Sequence, residues 1–136
     1  MKYTILSLLL TLGIFTFGSS QVMQDSKTYP VVIKFQSVCC GVPDDAPLVK
    51  FLKTFKKQQK FKMISADRIG PMGKEGEYYL AFTLKGFTKK QKTVFKQKLK
   101  TVVSKMNDKG NAVLEENMTI IKADLPSRAI TEKVYF

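Results

Sequence analysis

The chain has 136 residues, of which 23 are basic and 11 are acidic, so its formal net charge at pH 7 is +12. This length suits one domain that is large enough to build a single core without disulfides. The chain contains no histidine, which excludes a histidine general base, a Ser-His-Asp triad and a histidine metal ligand.

The N-terminal residues have the pattern of a secretory signal peptide. Lys2 precedes an apolar run, residues 3–17, which is shorter than the about 20 residues that a spanning helix needs. The small residues Gly18-Ser19-Ser20 follow this run, so we predict that residues 1–20 are a signal peptide cleaved near Ser20. Cleavage would leave a secreted or periplasmic protein with a net charge of +11, because it removes one lysine and no acid.

A polar leader and a strand come next. Residues 21–29 are polar, and we predict a flexible leader there. From Pro30 onward, Val31, Ile33 and Phe35 alternate with residues that include Lys34 and Gln36. A period of two with β-branched residues predicts a strand that buries one face.

The first helix follows a short junction. Asp44 or Asp45 can cap its N-terminus, and Pro47 is tolerated in its first turn. An apolar stripe at helical spacing predicts that the helix continues to about Gln59. The stripe consists of Leu48, Phe51, Leu52 and Phe55.

Two further strands are predicted around a glycine-rich hairpin loop. Residues 61–69 predict the second strand, with Ile64 and Ala66 as its inward positions. The loop 70–76 contains three glycines, which is typical of a turn. Residues 77–85 alternate most clearly and predict the third strand. Its apolar face consists of Tyr78, Leu80, Phe82 and Leu84.

The C-terminal third predicts a second helix and a fourth strand. Thr88 and Gln91 have the spacing of a capping box, and the helix is expected to end near residues 107–110. Its buried stripe consists of Phe95, Leu99, Val102, Val103 and Met106. Residues 119–123 predict the fourth strand, whereas residues 112–118 fit either an early part of it or irregular structure. The tail, residues 126–136, could add a short strand or remain frayed.

The element order β-α-β-β-α-β over residues 30–125 resembles the ferredoxin-like superfold. That resemblance implies an α+β domain in which a four-stranded antiparallel sheet carries two helices on one face. In such a topology, the junction after the first strand, the hairpin loop and the turn before the fourth strand share one end of the sheet. We therefore expect Cys39, Cys40, Met72 and Met106 to be neighbours.

Cys39 and Cys40 are the only cysteines of the chain, and they lie side by side in the junction after the first strand. Thiolate and thioether ligands select copper(I) and other soft ions, so Cys39, Cys40 and Met72 form a candidate soft-metal site. The position resembles that of the two metal-binding cysteines in heavy-metal-associated domains. That family separates its cysteines by two residues, whereas here they are adjacent.

Three other interpretations of the two cysteines remain open. Adjacent cysteines can close a strained vicinal disulfide in an oxidising compartment, which would be a switch or a rigid loop. Thiol redox catalysis is disfavoured by the missing C-x-x-C spacing. One cysteine could also be a small core residue while the other is incidental or pairs between molecules.

Lysines occupy the outward positions of both predicted helices. Such a surface can bind an anionic polymer or a membrane surface through long-range electrostatics, or it can be a solvated face. The alternative function is thus a basic adaptor for anionic surfaces or for a protein partner. Nucleic acid is not expected: Tyr79-Leu80-Ala81-Phe82 resembles part of an RNA-recognition motif, but Lys34 stands where the first strand of that motif presents an aromatic. The sequence predicts a binding module and no enzyme.

Overall fold

A computed structural model describes residues 25–107 and 110–136. The predicted signal peptide, residues 1–20, and the first part of the leader lie outside the described residues. The strands are β1 Ser26–Ser37, β2 Ser65–Gly70, β3 Tyr78–Phe82, β4 Gly110–Ile121 and β5 Ile130–Tyr135. The helices are α1 Ala46–Gln58 and α2 Lys89–Val103, and a 3₁₀ turn spans Lys122–Asp124.

The strands form one antiparallel sheet in the order β4-β1-β3-β2-β5. The α+β class with two helices is therefore confirmed, and the expected number of four strands is wrong. The fifth strand is the tail segment Ile130–Tyr135, which pairs with β2 along its whole length. The alternation of this segment does not distinguish a strand from a frayed end. The strand forms by pairing with β2, which is distant along the chain, and a local pattern does not reveal that contact.

Both helices pack on the same face of the sheet and form the main core with it. Ile64 and Ala66 point into this core, as predicted. The predicted stripes of both helices are buried in it, except that Phe51 and Val102 are only partly buried. The capping box of α2 is confirmed: the Thr88 hydroxyl accepts from the Gln91 N–H, and the Gln91 side chain accepts from the Thr88 N–H. The core side chains contributed by the helices are Leu48, Leu52, Phe55, Phe95, Leu99 and Val103.

β1 and β4 are both longer than expected and pair with each other over Ser26–Ser37 and Gly110–Ile121. Residues 26–29 of the predicted leader are therefore part of a strand. The buried face of β4 changes at Asn117, whose φ is +54°. Ala112 on one side of this position packs in the main core, whereas Ile120 on the other side packs on the opposite face of the sheet.

The sheet face opposite the helices carries a second, smaller cluster of buried side chains. β4 and β5 lie at opposite edges of the sheet, so the connection between them must cross the sheet. Leu125 in this connection packs against the second cluster, which shows that residues 122–129 cross on this face. The cluster consists of Tyr29, Val32, Ile69, Ala81 and Ile120. None of the helices in the described part of the chain is long and apolar enough to cross a membrane.

Candidate functional site

Cys39 and Cys40, called here the thiol pair, lie in a bend directly after β1. Both cysteines are free and exposed, and their Sγ atoms lie against each other. Adjacent side chains of an extended chain point in opposite directions. The bend at residues 38–41 therefore turns both sulfur atoms to the same side of the backbone.

The bend is held at its two ends, so the thiol pair forms its exposed tip. The Ser37 hydroxyl accepts a hydrogen bond from the Gly41 N–H at 3.2 Å. Gly41 has a φ of +108°, which a residue with a side chain would adopt only at a cost. Gly110, the first residue of β4, lies against the bend: a Cβ there would be 2.3 Å from the Gln36 carbonyl oxygen and 3.1 Å from that of Gly41. Gly110 thus allows the start of β4 to approach the backbone of the bend closely, whereas Gly41 is needed for its positive φ.

A buried tyrosine ties the start of α1 to the sheet near the thiol pair. The Tyr78 hydroxyl donates to the Asp45 carboxylate at 3.2 Å, and the Tyr78 ring stacks on Phe35 at 4.4 Å. Burial, together with the Asp45 charge, raises the pKa of the Tyr78 phenol, so the hydroxyl stays protonated and remains a donor. Asp45 is the N-cap residue of α1 and makes no side-chain capping hydrogen bond, whereas the carboxylate of the preceding Asp44 accepts from the Ala46 N–H at 3.0 Å.

Three segments meet at this end of the sheet, as the topology predicted. A cleft of about 410 Å³ is lined by the end of β1, the loop between β2 and β3, and the beginning of β4. Residues from the three segments include Ser37, Met72 and Asn111. The Glu75 carboxylate of the β2–β3 loop is close enough to act on the Cys39 thiol. The thiol pair follows Ser37, which lines this cleft, by two and three residues along the chain, and neither cysteine is itself a lining residue.

The two methionines named with the cysteines have different positions. Met72 lines this cleft and packs against the second cluster, so it lies at the expected end of the sheet on the face opposite the helices. Met106 is 3% exposed and belongs to the main core. Met106 lies three residues beyond the end of α2, so it continues the buried stripe of the helix as a packing residue of the core.

The environment of Cys39 shifts the pKa of its thiol upward. The hydrogen bond with Cys40, followed by desolvation and the negative charge of Glu75, raises the pKa of Cys39. Two adjacent thiols do not ionise independently, because the second negative charge would form beside the first. Binding of a ligand by both sulfurs must therefore release a proton from Cys39.

A second polar site, which the sequence did not indicate, surrounds Asp67 on the face opposite the helices. The Asp67 side chain is only 5% exposed. Its carboxylate accepts hydrogen bonds from Lys27 at 2.7 Å, Tyr29 at 2.7 Å and Lys133 at 2.8 Å. The only available signal was an acidic residue inside the predicted strand 61–69, because its partners lie about 40 and 66 residues away along the chain.

Within the two described ranges, no group of three or more cysteine, aspartate or glutamate side chains is placed to hold a metal ion together. The thiol pair therefore offers two sulfur ligands and no nearby carboxylate set. Comparisons of the chain with protein-family models, with curated proteins and with solved structures found no match.

Proposed function

We propose that this protein is a small secreted or periplasmic binding module that holds a soft metal ion, such as copper(I), between Cys39 and Cys40. The observation that carries this proposal is the geometry of the thiol pair: two free, exposed sulfur atoms on the same side of an anchored bend. The export of the protein rests on the signal-peptide pattern of residues 1–20.

The donor set decides which metals fit. Structural zinc sites have four ligands in tetrahedral geometry, and among the described residues no group of three or more cysteine, aspartate or glutamate side chains is placed to hold one ion. Thiolates are preferred by soft ions such as copper(I), which accept two ligands. A linear S–metal–S unit with metal–sulfur bonds of about 2.3 Å separates the sulfurs by roughly 4.6 Å. The two sulfurs would have to separate from their present contact to form such a unit, and both cysteine side chains are exposed.

We also infer that β1 to β4 and both helices form a ferredoxin-like core to which β5 is added. The order β4-β1-β3-β2 within the sheet and the packing of both helices on one face support this inference. The thiol pair then follows the first strand, the position at which heavy-metal-associated domains carry their cysteines. Met72 is the third candidate ligand, because the hairpin loop brings it to the same end of the sheet.

Native mass spectrometry of the reduced mature chain, residues 21–136, with silver(I) or copper(I) tests the proposal. We expect one ion per chain, lost when Cys39 and Cys40 are both replaced by serine. Occupancy should rise between pH 6 and pH 8, because the raised pKa of Cys39 makes protons compete with the metal. Equal occupancy of the parent and the double serine variant would refute the metal site.

A pair of methionine variants tests the third ligand. Met72→Leu should weaken silver(I) retention if the thioether binds the ion, whereas Met118→Leu should leave it unchanged. Met118 is a suitable control because it also packs, partly buried, against the second cluster.

The competing use of the thiol pair is a vicinal disulfide. A mass of the isolated protein that lacks both thiol hydrogens would show this disulfide.

The lysine-coated helices favour a second candidate function, a basic adaptor for anionic surfaces. α1 and α2 contain no acidic residue, and they pack on the same face of the sheet. Their outer surfaces therefore form one positive face. The exposed lysines of this face are Lys50, Lys53, Lys57, Lys89, Lys90, Lys92, Lys98 and Lys100.

A further inference from the structure

A cleft of about 680 Å³ lies on the sheet face opposite the helices. It is bounded by the start of β1, by β2 and by the crossing segment, residues 122–129. Small-molecule sites in proteins commonly have volumes of about 300–1,000 Å³. The cleft is thus large enough for a small ligand, and its residues are separate from the thiol pair.

The polar wall of the cleft offers hydrogen-bond donors. Both oxygens of Asp67 already accept hydrogen bonds, Oδ1 from Lys133 and Oδ2 from Lys27 and Tyr29. Burial alone would raise the pKa of Asp67, but these hydrogen bonds lower it to about 2, so the carboxylate remains ionised. It already accepts three hydrogen bonds, out of about four acceptor sites. An ammonium group has three donors, and Lys27 gives one of them to Asp67. Its side chain is 53% exposed, so its other donors can reach a ligand.

The rim adds a further positive charge. Lys122 lines the cleft, and its ammonium is 3.6 Å from the Asp25 carboxylate. Both side chains are more than three-quarters exposed, so this ion pair is weak and can be replaced by another anion. A ligand that takes the place of Asp25 at Lys122 must itself bring acceptor atoms and negative charge.

The rest of the lining is largely apolar and lies beside the polar groups, since Ile120 pairs with Lys27 across β4 and β1. Ile69 and Ile120 form its buried part, and Leu125 and Pro126 of the crossing segment complete it. Apolar surface of this kind favours an aliphatic or aromatic group, because its burial removes apolar area from water. A ligand that satisfies both the polar and the apolar residues has an anionic head and an apolar body.

We propose that this cleft binds a small amphiphile, with its carboxylate head at Lys27 and Lys122 and its hydrocarbon body against Ile69, Ile120 and Leu125. The proposal is independent of metal binding, since it uses no residue of the thiol pair. A single ligand would then contact β1, β2, β4 and the crossing segment at once.

Titration of the methyl-labelled mature chain with decanoate, below the concentration at which decanoate aggregates, tests the proposal. NMR should show saturable shifts of the Ile69 and Ile120 methyl groups. Decan-1-ol should bind about tenfold more weakly because it lacks the charge, and acetate should not saturate because it lacks the body. Absence of saturation by decanoate, equal affinity for decan-1-ol, or shifts confined to other residues would overturn the proposal.

Two variants separate the head from the body. Ala129→Phe fills the cleft and should abolish decanoate binding, while the combined Lys27→Gln and Lys122→Gln substitution should weaken it about tenfold. The matched control replaces Lys53 and Lys98, two exposed lysines on the helical face, and should leave the affinity unchanged. Unchanged affinity in Ala129→Phe would place decanoate elsewhere and refute the site even if the lysine variant failed to fold.

Discussion

At the scale of single residues, Asp67 shows how a buried charge is made compatible with the fold. It is the buried charged residue among those described, and an unpaired ionised group in that position would be strongly destabilising. Its partners come from both ends of the chain: Lys27 and Tyr29 from β1, and Lys133 from β5. The carboxylate therefore links the first strand to the last across the second cluster.

Replacing Asp67 by asparagine should reduce the free energy of unfolding at pH 7 by about 1–3 kcal/mol, the range for hydrogen bonds to a charged group. The folded-state pKa of about 2 lies below the ordinary aspartate value of about 3.9. The contribution of the carboxylate is therefore fully present above about pH 4 and is lost as the pH falls through about 2. Chemical denaturation of the parent and of Asp67→Asn across this range measures the difference.

Asp124 supplies the control for this experiment because it is an exposed acid in the 3₁₀ turn. Asp124→Asn removes the same charge and should change the unfolding free energy by less than about 0.5 kcal/mol, as is usual for surface substitutions. If Asp67→Asn were as stable as the parent at pH 7, or if its deficit stayed constant down to pH 2, the linking role of Asp67 would be wrong.

At the scale of elements, the change of buried face in β4 explains why its sequence was ambiguous. Ala112 and Leu114 are even-numbered residues that face the helices, whereas the even-numbered Met118 and Ile120 face the second cluster. Asn117, with its positive φ, lies between them. A pattern of period two that changes phase at one residue predicts two short strands, or none, although the chain forms one strand of 12 residues.

The helices and the inner strands could be predicted because their signals are local. The stripes of α1 and α2, the capping box and the alternation of Val31, Ile33 and Phe35 depend on neighbours within a few residues. β5 and the Asp67 interactions could not be predicted, since they depend on which distant segments meet. The thiol pair lies between these cases: its position after β1 was predictable, but the bend that aligns both sulfurs was not.

Asn117 also allows a test of the change of face. Asparagine tolerates the left-handed conformation, whereas a β-branched residue there is a genuine outlier. Asn117→Val should therefore destabilise the fold by about 1–2 kcal/mol, and Asn117→Gly should be nearly neutral. Asn111→Val is the matched control, because Asn111 is an exposed residue of the same strand with a negative φ. Equal unfolding free energies for the two valine variants would show that β4 does not require the left-handed conformation.

At the scale of the whole molecule, positive charge is unevenly distributed. The acidic residues that form ion pairs lie on the strands or near their ends, as in the pairs of Lys96 and Lys100 with Glu116 on β4. The outward lysines of α1 have no acidic residue on their own helix. Uneven charge of this kind attracts anionic surfaces over distances up to about the Debye length, roughly 10 Å at 0.1 M salt.

If the helical face binds anionic polymers, the position of a lysine must matter as well as its charge. Lys92→Gln with Lys98→Gln removes two charges from α2, and Lys74→Gln with Lys122→Gln removes two from the loops, so both variants have the same net charge. An exposed ion pair contributes about 0.2–1 kcal/mol, so the helix variant should bind a sulfated polysaccharide about 2- to 30-fold more weakly than the parent. The loop variant should elute near the parent in a salt gradient. Equal elution of the two variants would assign retention to net charge alone, and retention insensitive to salt would refute electrostatic binding.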